Sequence, residues 1–250
     1  MNPRKFAICG QKNKGLEEKL ISLGFIRDDD NPEYVFSLGG DGTMLDSVHK
    51  YMHLDDVKYI GINYGKLGFY TDFVKDDLDI ADIVNNQNYK TEEFRLLELD
   101  VNEKAYYALN EILVINPVRT QNIKIFVDEA ELETFRGTGL VLSSPSGSTA
   151  YNKSLGGAIL APSIDGYQLT EMASINNRLY KTLSSSLVLA HQNVVKLEFG
   201  KCDGLQIQVD GEAICENFQD VKVRLANKTI KLITKKDTLF LERVKKSFLE

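Results

Sequence analysis

Cysteine is scarce and scattered in this 250-residue chain: Cys9, Cys202 and Cys215 are odd in number and have no paired spacing. That pattern indicates neither a disulfide framework nor a zinc site, and it fits reduced thiols in a cytosolic chain. Long apolar runs are also missing. The amino terminus, Met1-Asn2-Pro3-Arg4-Lys5 followed by Phe6-Ala7-Ile8-Cys9-Gly10, is far too short in its apolar part for a signal peptide or a membrane span, so a cytoplasmic location is expected. Basic charge is not in excess. The net charge of -6 disfavours broad binding to nucleic acid or an anionic membrane, so an anionic substrate has to be met by local groups. Histidine is rare, and none of the three stands beside a serine or cysteine in a nucleophile-like motif. His49 and His53 share a helical face without a third ligand and read as exposed. Repeats, low-complexity segments and long linkers are absent. What remains, 43% hydrophobic and 26% charged, is the composition of an ordinary globular protein with enough chain for one large or two modest domains.

The first part alternates strand and helix. Lys5 to Cys9 reads as a strand; Leu16, Leu20 and Leu23 mark a helical stripe ended by Gly24 at a C′ position. Tyr34 to Leu38 is the next strand. Met44, Leu45, Val48, Tyr51 and Met52 then fall on one helical face, and Val57 to Ile62 supplies another buried strand. This βαβ order predicts a mostly parallel sheet. Near Phe94 the period changes to two: Leu97, Leu99 and Val101 alternate with polar neighbours, as do Ile123, Ile125 and Val127, and Leu205, Ile207 and Val209. Val221, Val223 and Leu225 lead through Ala226-Asn227-Lys228 into Ile230 and Leu232, which reads as a hairpin. The expected fold class is therefore an α/β amino-terminal domain over residues 1–95 and an antiparallel β domain over 96–236. Phe240, Val244 and Phe248 in the tail, 237–250, recur at helical spacing and are expected to pack back on the first domain.

Chemistry concentrates at strand ends. Tyr34-Val35-Phe36-Ser37-Leu38-Gly39-Gly40-Asp41-Gly42-Thr43 is an apolar strand that breaks into glycines, a carboxylate and a hydroxyl before an apolar helix resumes. In open α/β sheets ligands sit beyond the carboxyl ends of strands, where glycines let N–H groups approach phosphate. Gly39, Gly40, Gly42 and Thr43 are the candidate phosphate loop. A carboxylate there would repel phosphate, so Asp41 points to metal coordination or proton abstraction; its bland alternative is an N-cap. Gly61-Ile62-Asn63-Tyr64-Gly65-Lys66-Leu67-Gly68-Phe69 is no Walker A loop, because it is a residue short and Leu67 replaces the hydroxyl, but it offers a second glycine-rich turn at the same sheet edge. Leu140 to Asn152 passes from a strand into a hydroxyl-rich loop, with a short helix beginning near Thr149. Its Ser, Thr and N–H groups suit phosphate or ribose oxygens, and Tyr151 suits a base; a solvated turn is the alternative. Asn110-Glu111 interrupts an apolar strand from Tyr107 to Ile115. Asp210-Gly211 is first a hairpin turn, with Gln208 on the polar face of Asp210.

Taken in order from Leu38 to Gly211, these segments resemble the NAD kinases of compact bacterial type. Phosphofructokinases and lipid kinases carry a similar Gly-Gly-Asp-Gly tetrad without the Asn110-Glu111 and Ser146-Gly147-Ser148-Thr149-Ala150-Tyr151-Asn152 pair. The resemblance implies a carboxyl-terminal β-sandwich and NAD bound between the domains of a homodimer or homotetramer. It implies that Asp41 takes the proton of the adenosine 2′-hydroxyl, which attacks the γ-phosphate of ATP, or of polyphosphate, with Mg²⁺ or another divalent metal on the phosphates. NAD contacts would come from Asp41, Gly42, Asn110, Glu111, Arg136, Thr149, Ala150, Tyr151, Asn152, Lys153 and Ser154, with Gln208 and Asp210 as further candidates and Ala173 from a neighbouring subunit. Thr138 is a further candidate contact to NAD, standing where many members of the family place Asp. The competing expectations are a non-catalytic NAD-responsive binding protein and a lipid or sugar kinase sharing the tetrad.

Overall fold

The computed structural model describes residues 3–11, 13–64, 68–74, 80–85, 89–200, 203–214, 218–237 and 239–250. Met1, Asn2, the Gly65-Lys66-Leu67 part of the second glycine-rich turn, Cys202 and Cys215 lie outside the described residues. The chain divides into two compact units, Met1–Phe94 with Thr229–Glu250, and Arg95–Lys228. Among the described residues no helix is long and apolar enough to cross a membrane.

In the first unit β1 (Lys5–Gly10), β2 (Ile26–Arg27), β3 (Tyr34–Leu38), β4 (Lys58–Asn63) and β5 (Phe73–Val74) are all parallel, in the order β2-β1-β3-β4-β5. All five residues of β3 are buried, as a central parallel strand covered on both faces requires. Between the strands run α1 (Lys14–Ser22), α2 (Asp41–Tyr51) and α3 (Ile80–Asn85). Asn13 caps α1 by accepting the Leu16 N–H, and Gly24, at φ +84°, ends it. The Phe25 and Gly24 N–H groups bond the carbonyls of Leu20 and Ile21, a Schellman closure. Leu16 and Leu20 are buried with Phe6, Phe36 and Ile60; Leu23, expected in the same stripe, is 45% exposed because the helix has already ended. On α2, Met44, Val48 and Tyr51 are buried as the spacing predicts, while Leu45 and Met52 are only half-buried. Ser47 takes the remaining core position, its hydroxyl donating to the Thr43 carbonyl at 2.7 Å.

The second unit is an antiparallel sandwich, entered at Arg95 within β6 (Tyr89–Val101). One sheet holds β13 (Leu187–Ala190), β12 (Gly166–Met172), β11 (Gly139–Ser143), β8 (Glu111–Ile115), β15 (Gln206–Val209) and β16 (Glu212–Ile214), in that order. The other contributes β10 (Ala130–Gly137), β9 (Gln121–Val127), β14 (Val195–Phe199) and β17 (Asp220–Lys235), with β6 and β7 (Lys104–Ala108). Ile112, Val114, Leu140, Leu142 and Leu169 from the first sheet share one core with Leu97, Leu99, Ile125, Leu197 and Val223 from the second. This is the pairing of inner faces that period-two strands dictate. Tyr167 stitches the sheets: its buried hydroxyl lies 3.0 Å from the Asn193 carbonyl and 3.3 Å from that of Val223.

Two local expectations are corrected. The hairpin expected at Ala226-Asn227-Lys228 is absent, and β17 runs unbroken for 16 residues. Burial slips from Val221, Val223 and Leu225 to Ala226, Ile230 and Leu232, and none of residues 226–228 has positive φ, so the backbone absorbs a phase shift without turning. The boundary between units falls at that point, after Lys228. The apolar strand expected from Tyr107 to Ile115 is instead broken at Leu109-Asn110 into β7 and β8. From Thr229 the chain rejoins the first unit, where Lys231 and Leu232 pair in parallel with Lys58 and Tyr59, and it ends in α5 (Phe240–Phe248).

Candidate active site

In the first unit the chain leaves β3 at Leu38, and the Gly39 N–H still bonds the Ile62 carbonyl at 3.0 Å. Gly40 is the N-cap of α2, with extended backbone and no side-chain cap, so Asp41 is the first residue of the helix. The capping role is therefore not the one Asp41 plays. Its carboxylate turns to the segment beyond β4, where Oδ2 accepts the Phe69 N–H at 2.9 Å and Oδ1 the Tyr70 N–H at 3.0 Å. Two donors from consecutive residues fix the carboxylate plane, and Asp41 stays half-exposed. Its position in the first turn also suits the positive end of the helix dipole.

The glycines around it divide into two kinds. A Cβ at Gly39 would collide with the Thr43 hydroxyl, and one at Gly68 with the Asp41 carboxylate, so packing demands both. Gly40 and Gly42 face open space and have no positive φ, so neither packing nor backbone conformation requires glycine there. What they leave is bare backbone at a helix start, where the first N–H groups have no intrahelical acceptor. Such a surface accommodates an anion. Substituting Gly42→Ala is expected to leave thermal stability unchanged or raise it by up to about 1 kcal/mol. The same change is expected to raise the KM for a phosphate-bearing substrate about tenfold by filling that space. Parallel melts and steady-state kinetics check both halves.

In the second unit a separate cluster forms around the β15–β16 hairpin. Asp210 and Gly211, at φ +49° and +89°, make its two-residue loop, as the Asp-Gly pair predicts. The Asp210 carboxylate reaches across to the β7–β8 break. Oδ2 accepts the Leu109 N–H at 2.7 Å, and Oδ1 those of Asn110 and Glu111 at 2.8 and 3.0 Å. This clamp is why the apolar stretch does not continue as one strand. Asn110 is buried, and the Ser144 N–H bonds its carbonyl at 3.0 Å; Gly147 packs so closely on the Asn110 backbone that a Cβ would not fit.

Glu111 opens β8 with Oε2 buried and lacking a hydrogen-bond partner. Burial, reinforced by the Asp210 charge, pushes its carboxyl up to about 7. The native state therefore holds a proton on Glu111 that the unfolded chain has released, and stability falls as pH rises from about 4.5 to about 7. Glu111→Gln removes that penalty. Its melting temperature is expected to exceed that of the parent at pH 8, by a stability difference on the order of 2 kcal/mol, with the gap closing near pH 4.5. Thermal melts across that range test the sign.

The hydroxyl-rich loop is more inward than its sequence suggests. Ser146–Thr149 is a 3-10 turn, followed by the four-residue α4 (Tyr151–Ser154). Ser144, Ser146 and Ser148 are buried and commit their hydroxyls internally. Ser144 and Ser146 reach the Leu109 carbonyl at 2.5 and 3.0 Å, and Ser148 receives the Leu160 N–H at 2.9 Å. Asn152 is fully buried, its Oδ1 accepting from the Thr170 hydroxyl at 2.8 Å. Thr149, Ala150 and Lys153 are half-exposed, and Tyr151 and Ser154 exposed, so these carry the accessible face. Gln208 is half-buried beside Gln206.

Arg136, Thr138 and Ala173 gather elsewhere. Gly139 and Ser143 are the two ends of β11, and Ser143 pairs with Glu111 while Gly139 pairs with Ile115. Thr138, one residue before Gly139 and five before Ser143, thus sits roughly 16 Å, at ~3.3 Å per residue, from the Glu111 cluster. The Thr138 backbone bonds Met172 and Asn116, and Ala173, exposed at φ +48°, follows β12. The Arg136 guanidinium stacks 4.2 Å over the Tyr180 ring. The sequence reading missed the Phe69 and Tyr70 N–H groups, although Gly68 before them was a signal, and the Asp72–Arg243 pair behind them, for which composition and spacing offered none.

Comparison with known proteins gives this geometry a lineage. The ATP-NAD kinase N-terminal domain model matches residues 23–89 and the ATP-NAD kinase C-terminal domain model residues 109–234. NAD kinase 1 of Bacillus anthracis is 37% identical over 243 residues, covering 94% of this chain and 92% of that protein. The NAD kinase of Enterococcus faecalis is 38% identical over 245 residues, covering 94% and 90%. Among solved structures, yeast NADH kinase complexed with NADH superposes with a TM-score of 0.81 at 18% identity, covering 97% of this chain and 86% of that one. An NAD kinase from Archaeoglobus fulgidus in complex with ATP gives 0.78 at 20%, covering 97% and 99%. The structures confirm the two-part fold, an α/β unit with a parallel sheet and an antiparallel sandwich; with both domain models in place and near-complete relatives at this identity, the chain belongs to the NAD kinase family.

Proposed function

We infer that this chain is an ATP-dependent NAD kinase, transferring the γ-phosphate of ATP to the 2′-hydroxyl of the adenosine ribose of NAD to give NADP, with Asp41 as general base. The observation that carries the catalytic role is the Asp41 carboxylate, oriented by two backbone donors and flanked by Gly40 and Gly42, whose open sides have no structural use. Phosphoryl transfer needs positioning and charge neutralisation more than covalent chemistry. The N–H groups at the start of α2, with Gly39, Gly40, Gly42 and Thr43, hold the donor phosphates, and Asp41 removes the proton from the attacking hydroxyl. Magnesium, or another divalent metal, enters on the phosphates of ATP. When bound, it neutralises phosphate charge.

Asn110, Glu111, Thr149, Ala150, Tyr151, Lys153 and Ser154 hold the dinucleotide. Asn152, with its buried and hydrogen-bonded amide, and Asp210, whose carboxylate accepts the Leu109 and Asn110 N–H groups, shape that surface. Arg136 and Thr138 add contacts to the dinucleotide and Ala173 reaches it from a neighbouring subunit, so that the protein works as a homo-oligomer; a cytoplasmic location is part of the same reading. The test is a coupled assay in which an NADP-specific dehydrogenase reports product from NAD, ATP and Mg²⁺, repeated with polyphosphate. NADP formation with ATP supports the reading. Calorimetric NAD binding without NADP formation replaces it with a non-catalytic binding protein, and turnover only on lipids or sugars with another kinase.

A further inference from the structure

The carboxyl-terminal helix buries the wrong kind of residue for an ordinary tail. In α5 Arg243 is the one fully buried residue, at 6% exposure; Phe240 and Val244 are only half-buried, and Leu241 on the opposite face and Leu249 at the C-cap are 73% and 78% exposed. A helix docked for stability alone would turn its leucines inward, since a buried ion pair at best breaks even against apolar packing. Arg243 Nη2 donates to Asp72 Oδ2 at 2.6 Å, with both side chains nearly inaccessible, and the Lys235 N–H bonds the same oxygen at 3.1 Å. Burial still pushes the Asp72 carboxyl above its usual range, so the pair is costly to keep. Arg243 Nη1 donates to the Phe69 carbonyl at 3.0 Å.

That carbonyl belongs to the same peptide group as the Tyr70 N–H, which donates to Asp41 Oδ1. The peptide is trans, so its oxygen and hydrogen point in opposite directions. One rigid plane is therefore gripped by a guanidinium on its oxygen and by the Asp41 carboxylate on its hydrogen. Charge at the oxygen polarises the N–H and strengthens the far bond, as in any hydrogen-bonded chain. The Phe69 ring is also held, 5.6 Å from that of Phe248. We propose that Arg243 is a positioning residue for Asp41, acting through the Phe69–Tyr70 peptide and anchored by Asp72, so that the carboxyl-terminal helix sets the aim of the base. The proposal rests on the reading of Asp41 as the base.

The test compares variants at saturating NAD and ATP, each checked by thermal melting. Arg243→Lys keeps a cation beside Asp72 but lacks the planar fork that serves two acceptors at once. Its kcat is expected to fall about tenfold with each KM within about twofold, because aim is lost and substrate contacts are kept. Arg243→Met with Asp72→Asn removes both charges together and is expected to lose at least as much turnover; it carries the test if the lysine variant does not fold. In an Asp41→Asn background, adding Arg243→Lys is expected to change kcat less than about twofold, since its target is gone. Turnover at the parental level in a folded Arg243 variant overturns the proposal, as does an undiminished tenfold loss in the Asp41→Asn background. A parental kcat in Asp41→Asn alone would instead remove the base itself.

Discussion

Replacing Asp41 with asparagine is expected to leave NAD binding intact and to lower turnover by roughly two to four decades, the scale of a lost general base. The substitution preserves volume but changes two things. An amide offers one acceptor oxygen to the two N–H donors of Phe69 and Tyr70, so one of those bonds is lost. That costs about 1–2 kcal/mol of local stability. The chemical loss corresponds to about 3–5 kcal/mol in barrier height, so it exceeds the structural disturbance. Calorimetry with NAD and steady-state kinetics below the melting transition separate the two effects. An unchanged turnover number would take Asp41 out of the mechanism, whatever the geometry around it.

The reason this residue was legible in sequence is that its neighbours are glycines at the end of a wholly buried strand. Such a signal is local: strand, break, carboxylate and helix follow one another within ten residues. The alternating strands of the second unit were legible for the same reason, since inward and outward positions succeed each other along the chain. What escaped was set by partners distant in sequence. The donors that orient Asp41 come from Phe69 and Tyr70, and the ion pair behind them joins Asp72 to Arg243. The tail's Phe240 and Val244 are half-buried and Phe248 meets the Phe69 ring, but the fully buried member, Arg243, was not legible, because the groups it meets are a carboxylate and a carbonyl far away in sequence. Similarly, the hydroxyls of Ser144, Ser146 and Ser148 read in sequence as suited to phosphate or ribose, whereas the Leu109 and Pro145 carbonyls, brought up by the fold, absorb them. The false hairpin at Ala226-Asn227-Lys228 has a different origin: an alternation that changes phase looks the same in sequence whether the chain turns or slips by one residue.

Asp210 carries the second large effect, and glycine is the substitution that isolates it. At φ +49° an alanine would add backbone strain, whereas glycine accepts that conformation, so Asp210→Gly removes the carboxylate while keeping the turn. Three N–H groups, those of Leu109, Asn110 and Glu111, then lose a charged acceptor in a region where Leu109 and Asn110 are buried. Each such bond is worth about 1.5–3 kcal/mol, and shared geometry makes them less than additive, so a loss of about 3–5 kcal/mol is expected. Asp210→Asn, with one acceptor oxygen and tolerance of the left-handed region, should recover part of it. The same variants should weaken NAD binding while sparing turnover at saturation, because Asn110 and Glu111 are displaced while the Asp41 cradle is untouched. Chemical denaturation together with NAD titration reads both quantities. A stability change below about 1 kcal/mol in Asp210→Gly would mean that the β7–β8 break holds its shape without the clamp, and that the Asn110-Glu111 turn is fixed by its packing on Gly147 instead.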